Sequence, residues 1–185
     1  LKCHYPHEFM AALLTSVLDN TSKVIEYTSE CQRLGIKVLP PDINVSRGGF
    51  TVDGDSIRFG LNAVKSVGRL IDSVVKERKN RPYRSLYDFC KRLHSNELNR
   101  RALENLIKAG SFDALEPSRR AMIDSAEGIL KSVETDARQN LEGQMDLFGM
   151  MGGEQEQAAS DYKIPNTPEY PAGDLLKMEK EVSGL

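Results

Sequence analysis

Cysteine and histidine are scarce in this chain of 185 residues, which has three of each. The cysteines Cys3, Cys31 and Cys90 lie far apart and form no Cys-x-x-Cys pair. This pattern argues against a disulfide framework and a zinc site, and it favours a reducing compartment. His4 and His7 are three residues apart, but no cluster of further ligands accompanies them, so solvated residues at a helix start are the better interpretation.

Long apolar runs are also lacking. No stretch approaches the roughly 18 apolar residues that a membrane-spanning helix needs. The chain begins at Leu1 rather than at a methionine, with a helical pattern already under way, and residues 181–185 stop in the middle of a pattern. We therefore expect a fragment of a longer protein.

Charge is unevenly distributed, although the net charge is only −2. Residues 56–131 contain 16 Lys and Arg against 9 Asp and Glu, whereas residues 132–185 contain 4 against 11. A basic middle followed by an acidic tail predicts a polyanion-binding module tethered to a segment that does not bind the same polyanion.

The apolar spacing in the first third of the chain predicts two helices within residues 6–34. Asn20 is placed to cap the second helix, and Gly35 is placed to end it. Residues 38–44 must then be extended, because the successive prolines Pro40 and Pro41 exclude a helix.

A small β-hairpin is predicted next, because residues 50–52 and 56–59 alternate in type and flank Asp53-Gly54-Asp55. Paired aspartates can also hold catalytic magnesium. Here the glycine lies where a tight turn needs a positive φ, and no third carboxylate follows nearby. We therefore interpret this segment as a turn and not as an active site.

The rest of the chain predicts a mainly α fold: helical bundle segments with this hairpin, followed by a flexible tail. Ser85 and Asp88 form a capping-box-like start, Gly110 closes a helix, and Pro117 opens the last helix of the bundle. Beyond about residue 137 the composition is that of a linker, with a short returning helix near its end. The predicted helices cover residues 61–65, 69–79, 86–93, 98–109, 117–133 and 175–181.

Residues 64–69 have the layout of a helix-hairpin-helix, in which a short glycine turn with Lys and Arg at its ends joins two helices. Such a turn leaves the backbone amides at the start of the second helix pointing outward, at the positive end of the helix dipole. This point binds a phosphate oxygen without reading the base. The predicted contacts are Lys65, Ser66, Val67, Gly68 and Arg69.

A more degenerate copy of the same pattern follows 42 residues later, from Gly68 to Gly110. Its predicted contacts are Lys108, Gly110 and Ser111, and Arg119 and Arg120 come after them. The alternative is that glycine merely turns an ordinary helical hairpin whose basic face is solvated. The charge excess and the apparent duplication favour the phosphate-binding interpretation.

The acidic tail contains a short apolar peptide between Gly143 and Gly149. Two large apolar side chains in a segment that builds no core of its own need a partner to bury them, and a polar residue ahead of them supplies direction. The alternative is that these side chains pack back on the preceding helix. The predicted docking peptide is Gln144-Met145-Asp146-Leu147-Phe148.

Taken together, these segments resemble the alpha-subunit family of bacterial DNA polymerase III, the C family of replicative polymerases. The match follows the order of the chain and covers nearly all of it. It is carried by Tyr5-Pro6 with 8–14 and Val38 to Asn44, by Ile57 to Leu61 with Ala63 to Gly68, by Leu98 to Leu103 with Ile107 to Asp113, and by Gln144 to Phe148.

The resemblance implies a domain organisation: the end of the fingers at 1–44, a clamp-binding domain with tandem helix-hairpin-helix motifs at 45–136, the clamp-binding peptide at 137–150, and a linker toward an OB-fold at 151–185. It implies duplex DNA, the beta sliding clamp and other holoenzyme subunits as partners, in the cytoplasm and without a membrane. The parent enzyme polymerises nucleotides with magnesium held by palm aspartates. Nothing in this chain corresponds to that palm, so we expect no catalytic residue, metal or cofactor here.

Two residues depart from the family pattern. Ser66 stands where the first glycine of the hairpin is usual, which weakens the tight turn or shifts phosphate contact to the other copy. Met145 replaces the more frequent Leu in the clamp peptide, a swap of similar volume. Two other function classes are weighed against this interpretation: an interaction adaptor without DNA contact, and a helix-hairpin-helix glycosylase, for which no suitably placed Lys or Asp follows the hairpin.

Overall fold

The structure, a computed structural model, describes residues 4–95, 97–147 and 162–184, and for residues 141–147 it describes the backbone alone. The part described is mainly helical, which confirms the predicted fold class. In chain order its elements are α1 (Pro6–Ser16), α2 (Thr21–Arg33), β1 (Lys37–Leu39), β2 (Thr51–Asp53), β3 (Ser56–Arg58), α3 (Leu70–Glu77), α4 (Leu86–Leu93), α5 (Arg100–Lys108), α6 (Arg119–Leu147) and α7 (Ala172–Ser183).

The first two helices begin and end where their local sequence predicts. Pro6 occupies the first turn of α1, where its missing N–H costs nothing. The side chain of Asn20 accepts a hydrogen bond of 3.1 Å from the Lys23 amide and so caps α2. Gly35 follows α2 with a φ of +74°, a conformation that glycine adopts without strain.

The predicted hairpin is confirmed, and a third strand joins it. β2 and β3 pair antiparallel around Gly54, whose φ is +60°. β1 pairs parallel to β3, with Val38 opposite Ile57, so the strand order is β1-β3-β2. The extended segment was predicted, but its pairing was not, because nothing local specifies a partner about 20 residues away.

The aspartates of this hairpin take part in structural contacts. Asp53 forms an ion pair of 2.7 Å with Arg58, and the backbone carbonyl of Asp55 lies 3.1 Å from His7 Nε2. Among the residues that the structure describes, no group of three or more His, Cys, Asp and Glu side chains is placed to share a metal ion.

The predicted helix at 61–65 is wrong. Only Leu61–Ala63 forms a single 3₁₀ turn, and Val64 already has an extended backbone with a ψ of 131°. The helix cannot continue because Ser66 has a φ of +64°, which is incompatible with right-handed helix.

One hydrophobic core joins the sheet to the helices. Phe50 and Phe59 meet edge to face with ring centroids 4.8 Å apart. Phe89 from α4 makes similar contacts with Tyr83 at 5.0 Å and Phe112 at 4.9 Å. These aromatic contacts bring α4 and the end of α5 together, and α5 in turn packs on α6.

The last two helices differ in how well the sequence predicts them. α6 runs to Leu147 instead of ending near Val133, so the expected linker at 137–147 is wrong. Residues 134–142 are mostly good helix formers, and a helix can extend beyond its last buried side chain on propensity alone. The returning helix is confirmed as α7. No helix in the described ranges is both long and apolar enough to cross a membrane.

Candidate nucleic-acid interface

The junction between the 3₁₀ turn and α3 is built from two left-handed residues. Ser66 has a φ of +64° and Gly68 a φ of +50°, and the side chain of Val67 between them is buried. The buried valine anchors the turn, while its two neighbours reverse the chain within a few residues. The backbone therefore emerges at Arg69, directly before α3, with its outer edge exposed to solvent.

The amides at this junction point away from the rest of the molecule. Within the described residues, the N–H groups of Gly68 and Arg69 donate to no group of the chain. They lie at the N-terminus of α3, where the aligned peptide dipoles carry partial positive charge. This arrangement suits a phosphate oxygen, because it offers donors and positive potential but no contact to a base.

The junction opens into a groove of about 560 Å³ between the α1–α2 turn and the start of α3. Arg69 is exposed there and forms no ion pair with any residue that the structure describes. Asp19 and Asp72 also line the groove. Asp72, in the first turn of α3, competes with an external anion for the same amides, so phosphate contact is confined to the Gly68 and Arg69 side.

Lys65 is held by another element. Its amide donates to the carbonyl of Val182 at 2.9 Å, and its Nζ donates to the carbonyl of Glu181 at 2.6 Å. Its own carbonyl accepts a hydrogen bond of 2.8 Å from Asn105 Nδ2. The cation predicted to flank the phosphate is thus bound to the C-terminal end of α7, a contact that nothing in the local sequence indicates.

The second predicted copy forms a helix end with a different exposure. Gly110 has a φ of +86° and donates to Ile107 at 2.9 Å, and Ser111 donates to Leu106 at 3.1 Å. These two bonds form a Schellman motif that ends α5. Gly110 and Ser111 are both buried, and the Ser111 carbonyl accepts from Ile43 at 2.9 Å. The second copy therefore turns its predicted contact residues toward the core.

The cations beside the second copy are engaged as well. Lys108 lies 3.6 Å from Glu181, and Arg119 forms ion pairs of 2.6 Å with Asp113 and 2.8 Å with Glu179. Burial lowers the pKa of Arg119, but the hydrogen bonds and charges of the two carboxylates more than offset this, so its pKa is raised. Arg119 is 6% exposed and fixes the ends of three helices to one another.

A second basic groove, of about 600 Å³, lies beside the start of α4 and was missed at the level of sequence. Asp88 accepts from Arg81 at 2.8 Å and 3.1 Å, and Arg92 also approaches it at 3.4 Å. Burial raises the pKa of Asp88, but these arginines and the Arg84 amide lower it further, to below its ordinary value. Lys91 also lines the groove and is exposed. A cluster of Arg and Lys between 81 and 92 is the signal that could have identified it.

The predicted docking peptide lies at the end of α6. Residues 144–147 form the last turn of this helix, and Phe148 lies outside the described residues. Val133 is the last buried residue of α6, so the helix runs on for 14 residues beyond the core, about 21 Å at 1.5 Å per residue. The chain returns at Tyr162, whose hydroxyl lies close to Gly128 of the same helix.

Comparison with known proteins places this geometry in context. A helix-hairpin-helix family model matches residues 35–122, a range that contains both predicted copies. The chain is 42% identical to DNA polymerase III subunit alpha of Escherichia coli strain K12 over 188 aligned positions, 41% to that of Saccharopolyspora erythraea and 39% to that of Haemophilus influenzae.

These matches cover the whole of this chain but 16% of the length of each relative. The similarity therefore relates the chain to one stretch of a much longer subunit. It agrees with the resemblance that the sequence motifs predict, and that prediction is confirmed. Over its whole length, this chain is a relative of the alpha subunits of bacterial DNA polymerase III.

Proposed function

We propose that this chain is the part of a replicative polymerase subunit that holds duplex DNA by its backbone. One observation carries the proposal: the amides of Gly68 and Arg69 are exposed and without a partner in the described chain, at the start of α3, inside the range that the helix-hairpin-helix model matches. Amides and a helix dipole recognise phosphate of any sequence. A polymerase needs this kind of contact because it moves along every template.

The first hairpin is the proposed contact, and Arg69 is its cation. The second copy contributes by fixing the first one, since its glycine and serine are buried and Arg119 is bound to two carboxylates. Lys65 and Lys108 were predicted to touch phosphate, and their contacts with α7 make them secondary to Arg69. With one to three phosphates neutralised, the slope of log affinity against log salt is about −1 to −3.

The test is a salt titration of duplex binding with two charge-reversal variants. Arg69→Glu is expected to weaken binding and make the salt slope shallower by about one unit. Lys79→Glu is the matched control, because Lys79 is also exposed and lies beyond the opposite end of α3. Equal losses in the two variants would show that net charge, and not the hairpin, attracts the duplex.

The second proposed contact is a sliding clamp, reached by Gln144 to Phe148. Leu147 and Phe148 fill an apolar cleft on the ring, Gln144 directs the peptide, and Met145 and Asp146 lie beside it. The projection of α6 beyond the core supports this proposal, because it carries the peptide away from the DNA-binding hairpin. A short peptide with few anchors binds on the order of micromolar alone, and tethering two weak contacts strengthens both.

Replacing Leu147 and Phe148 by Ala tests the clamp contact. We expect loss of capture by a sliding clamp with an unchanged melting temperature. A lowered melting temperature with capture intact would instead show that these side chains pack on the chain itself, as the alternative interpretation holds.

The longer protein is proposed to be a DNA-directed DNA polymerase, with nucleotide transfer and its magnesium located in other parts. The chain alone is then expected to extend no primer. The competing function is an interaction adaptor without DNA contact, and the engagement of Lys65, Lys108 and Arg119 by α7 and its neighbours favours it. Under that alternative, reversing the charge of Lys65 and Arg69 together leaves duplex binding unaltered.

A further inference from the structure

Ser66 occupies a conformation that ordinarily belongs to glycine. Its φ of +64° is one of two positive values at non-glycine positions in the described chain, the other being at Glu97. A Cβ atom disfavours this region, and serine lacks the partial tolerance of asparagine and aspartate for it. The side chain of Ser66 is exposed and makes no hydrogen bond within the described residues, so it does not offset the cost itself.

The residue before Ser66 is held at every polar atom of its backbone. Asn105 Nδ2 donates to the Lys65 carbonyl at 2.8 Å, which fixes the peptide that joins Lys65 to Ser66. The Lys65 amide donates to Val182 at 2.9 Å. Rotating Ser66 toward a right-handed φ would turn this peptide and break the bond to Asn105. The contacts on Lys65 therefore oppose the relaxation that the Cβ atom of Ser66 favours.

Asn105 is a poor choice for its place in α5 unless this contact matters. It lies in the interior of the helix, is 9% exposed, and has leucines or isoleucine as its buried neighbours in α5. Asparagine has a low helix propensity, and a buried amide is costly when it has no partner. Its bond reaches a residue 40 positions earlier in the chain. The geometry thus uses a buried polar side chain to link α5 to the hairpin.

We propose that Asn105 is the positioning residue for the phosphate-binding hairpin, and that it compensates for serine in the place of glycine at Ser66. This inference rests on the proposed function, because the hairpin is positioned for phosphate. Asn105 touches no phosphate itself. It holds the Lys65–Ser66 peptide so that the amides of Gly68 and Arg69 stay exposed together.

The test is a double-mutant cycle on duplex affinity. Asn105→Ala is expected to weaken duplex binding about tenfold, the equivalent of one buried hydrogen bond and the order that it maintains. In the Ser66→Gly background, glycine adopts the positive φ unaided, so the same substitution is expected to cost less than about twofold. Equal losses in both backgrounds would overturn the proposal.

A matched control separates positioning from general destabilisation. Asn44 also bridges to a distant backbone, donating to the Tyr83 carbonyl at 2.9 Å and accepting from its amide at 2.8 Å. Asn44→Ala removes a comparable bridge away from the hairpin. Its effect on duplex affinity is expected to be small and the same in the Ser66→Gly background, whereas rescue of Asn44→Ala by Ser66→Gly would contradict the assignment.

A readout without DNA keeps this inference separate from the proposed function. Amide NMR signals of Gly68 and Arg69 are expected to shift and broaden in Asn105→Ala and to sharpen again when Ser66→Gly is added. If the wild-type chain binds no duplex, the proposed function fails, and these signals still decide the positioning role. If Asn105→Ala does not fold, recovery of folding by Ser66→Gly supports the proposal, and the lack of recovery overturns it.

Discussion

Arg119 is expected to be a structural residue, and replacing it by Met gives the sharpest test. Its guanidinium bridges Asp113 at 2.6 Å and Glu179 at 2.8 Å, and it also donates to the Lys108 carbonyl at 3.1 Å. Methionine fills much of the same volume but leaves both carboxylates and the carbonyl without this partner. The helix ends of α5, α6 and α7 would lose their common contact.

The expected cost follows from the exposure of the groups left behind. Removing one partner of a fully buried ion pair costs about 3–5 kcal/mol. Here Asp113 is 46% and Glu179 25% exposed, so water screens and re-solvates both carboxylates. We therefore expect Arg119→Met to lower the free energy of unfolding by about 2–3 kcal/mol.

Urea denaturation followed by circular dichroism measures this change, with Arg120→Met as the control. Arg120 is the next residue, is exposed, and lies over the ring of Tyr170 at 5.8 Å. Its replacement is expected to cost less than about 1 kcal/mol. A loss below about 1 kcal/mol for Arg119→Met would refute the structural role and return this arginine to the candidates for phosphate contact.

Three smaller predictions concern single contacts. Gly110→Ala is expected to cost about 2 kcal/mol by urea denaturation, because a Cβ at a φ of +86° meets the Arg119 guanidinium at 2.5 Å, whereas Gly54→Ala, with open space around it, should cost about 1 kcal/mol. Asp88 has a lowered pKa, so the stability it supplies is complete above its ordinary value of 3.8 and is lost as the pH falls below that value; acid titration of Asp88→Asn should show a weaker loss than the wild type, and an identical profile would contradict this. Ser85→Ala removes the cap on the Asp88 amide and should lower the melting temperature by about 1 kcal/mol equivalent, with no change counting against the cap.

The helix ends were predictable because their causes are local. Asn20 caps α2 and Ser85 caps α4 through bonds that span three residues, so a short stretch of sequence contains both donor and acceptor. Gly35 and Gly110 end their helices in a conformation that glycine alone adopts freely. The same local logic correctly marked Gly68 and pointed to Ser66 as the unusual position in the hairpin.

The failures also have a physical cause. The helix expected at 61–65 depended on apolar spacing, which cannot show that Ser66 takes a left-handed backbone. The end of α6 was set too early because exposure of a helix beyond residue 133 has no apolar signature. The partners of Lys65 and Arg119 lie in α7, more than 60 residues further along the chain, so their charges looked available for phosphate.

The sequence by itself determined the helical class, the family resemblance and the place of the hairpin, because caps, glycines and apolar periods act over three or four residues. Only the tertiary structure decided which cations face solvent, since that depends on where α7 docks. Coulombic attraction is indifferent to chain order, and a lysine pairs with the nearest acceptor in space. For this reason Arg69, and not Lys65 or Lys108, is the cation left for an external phosphate.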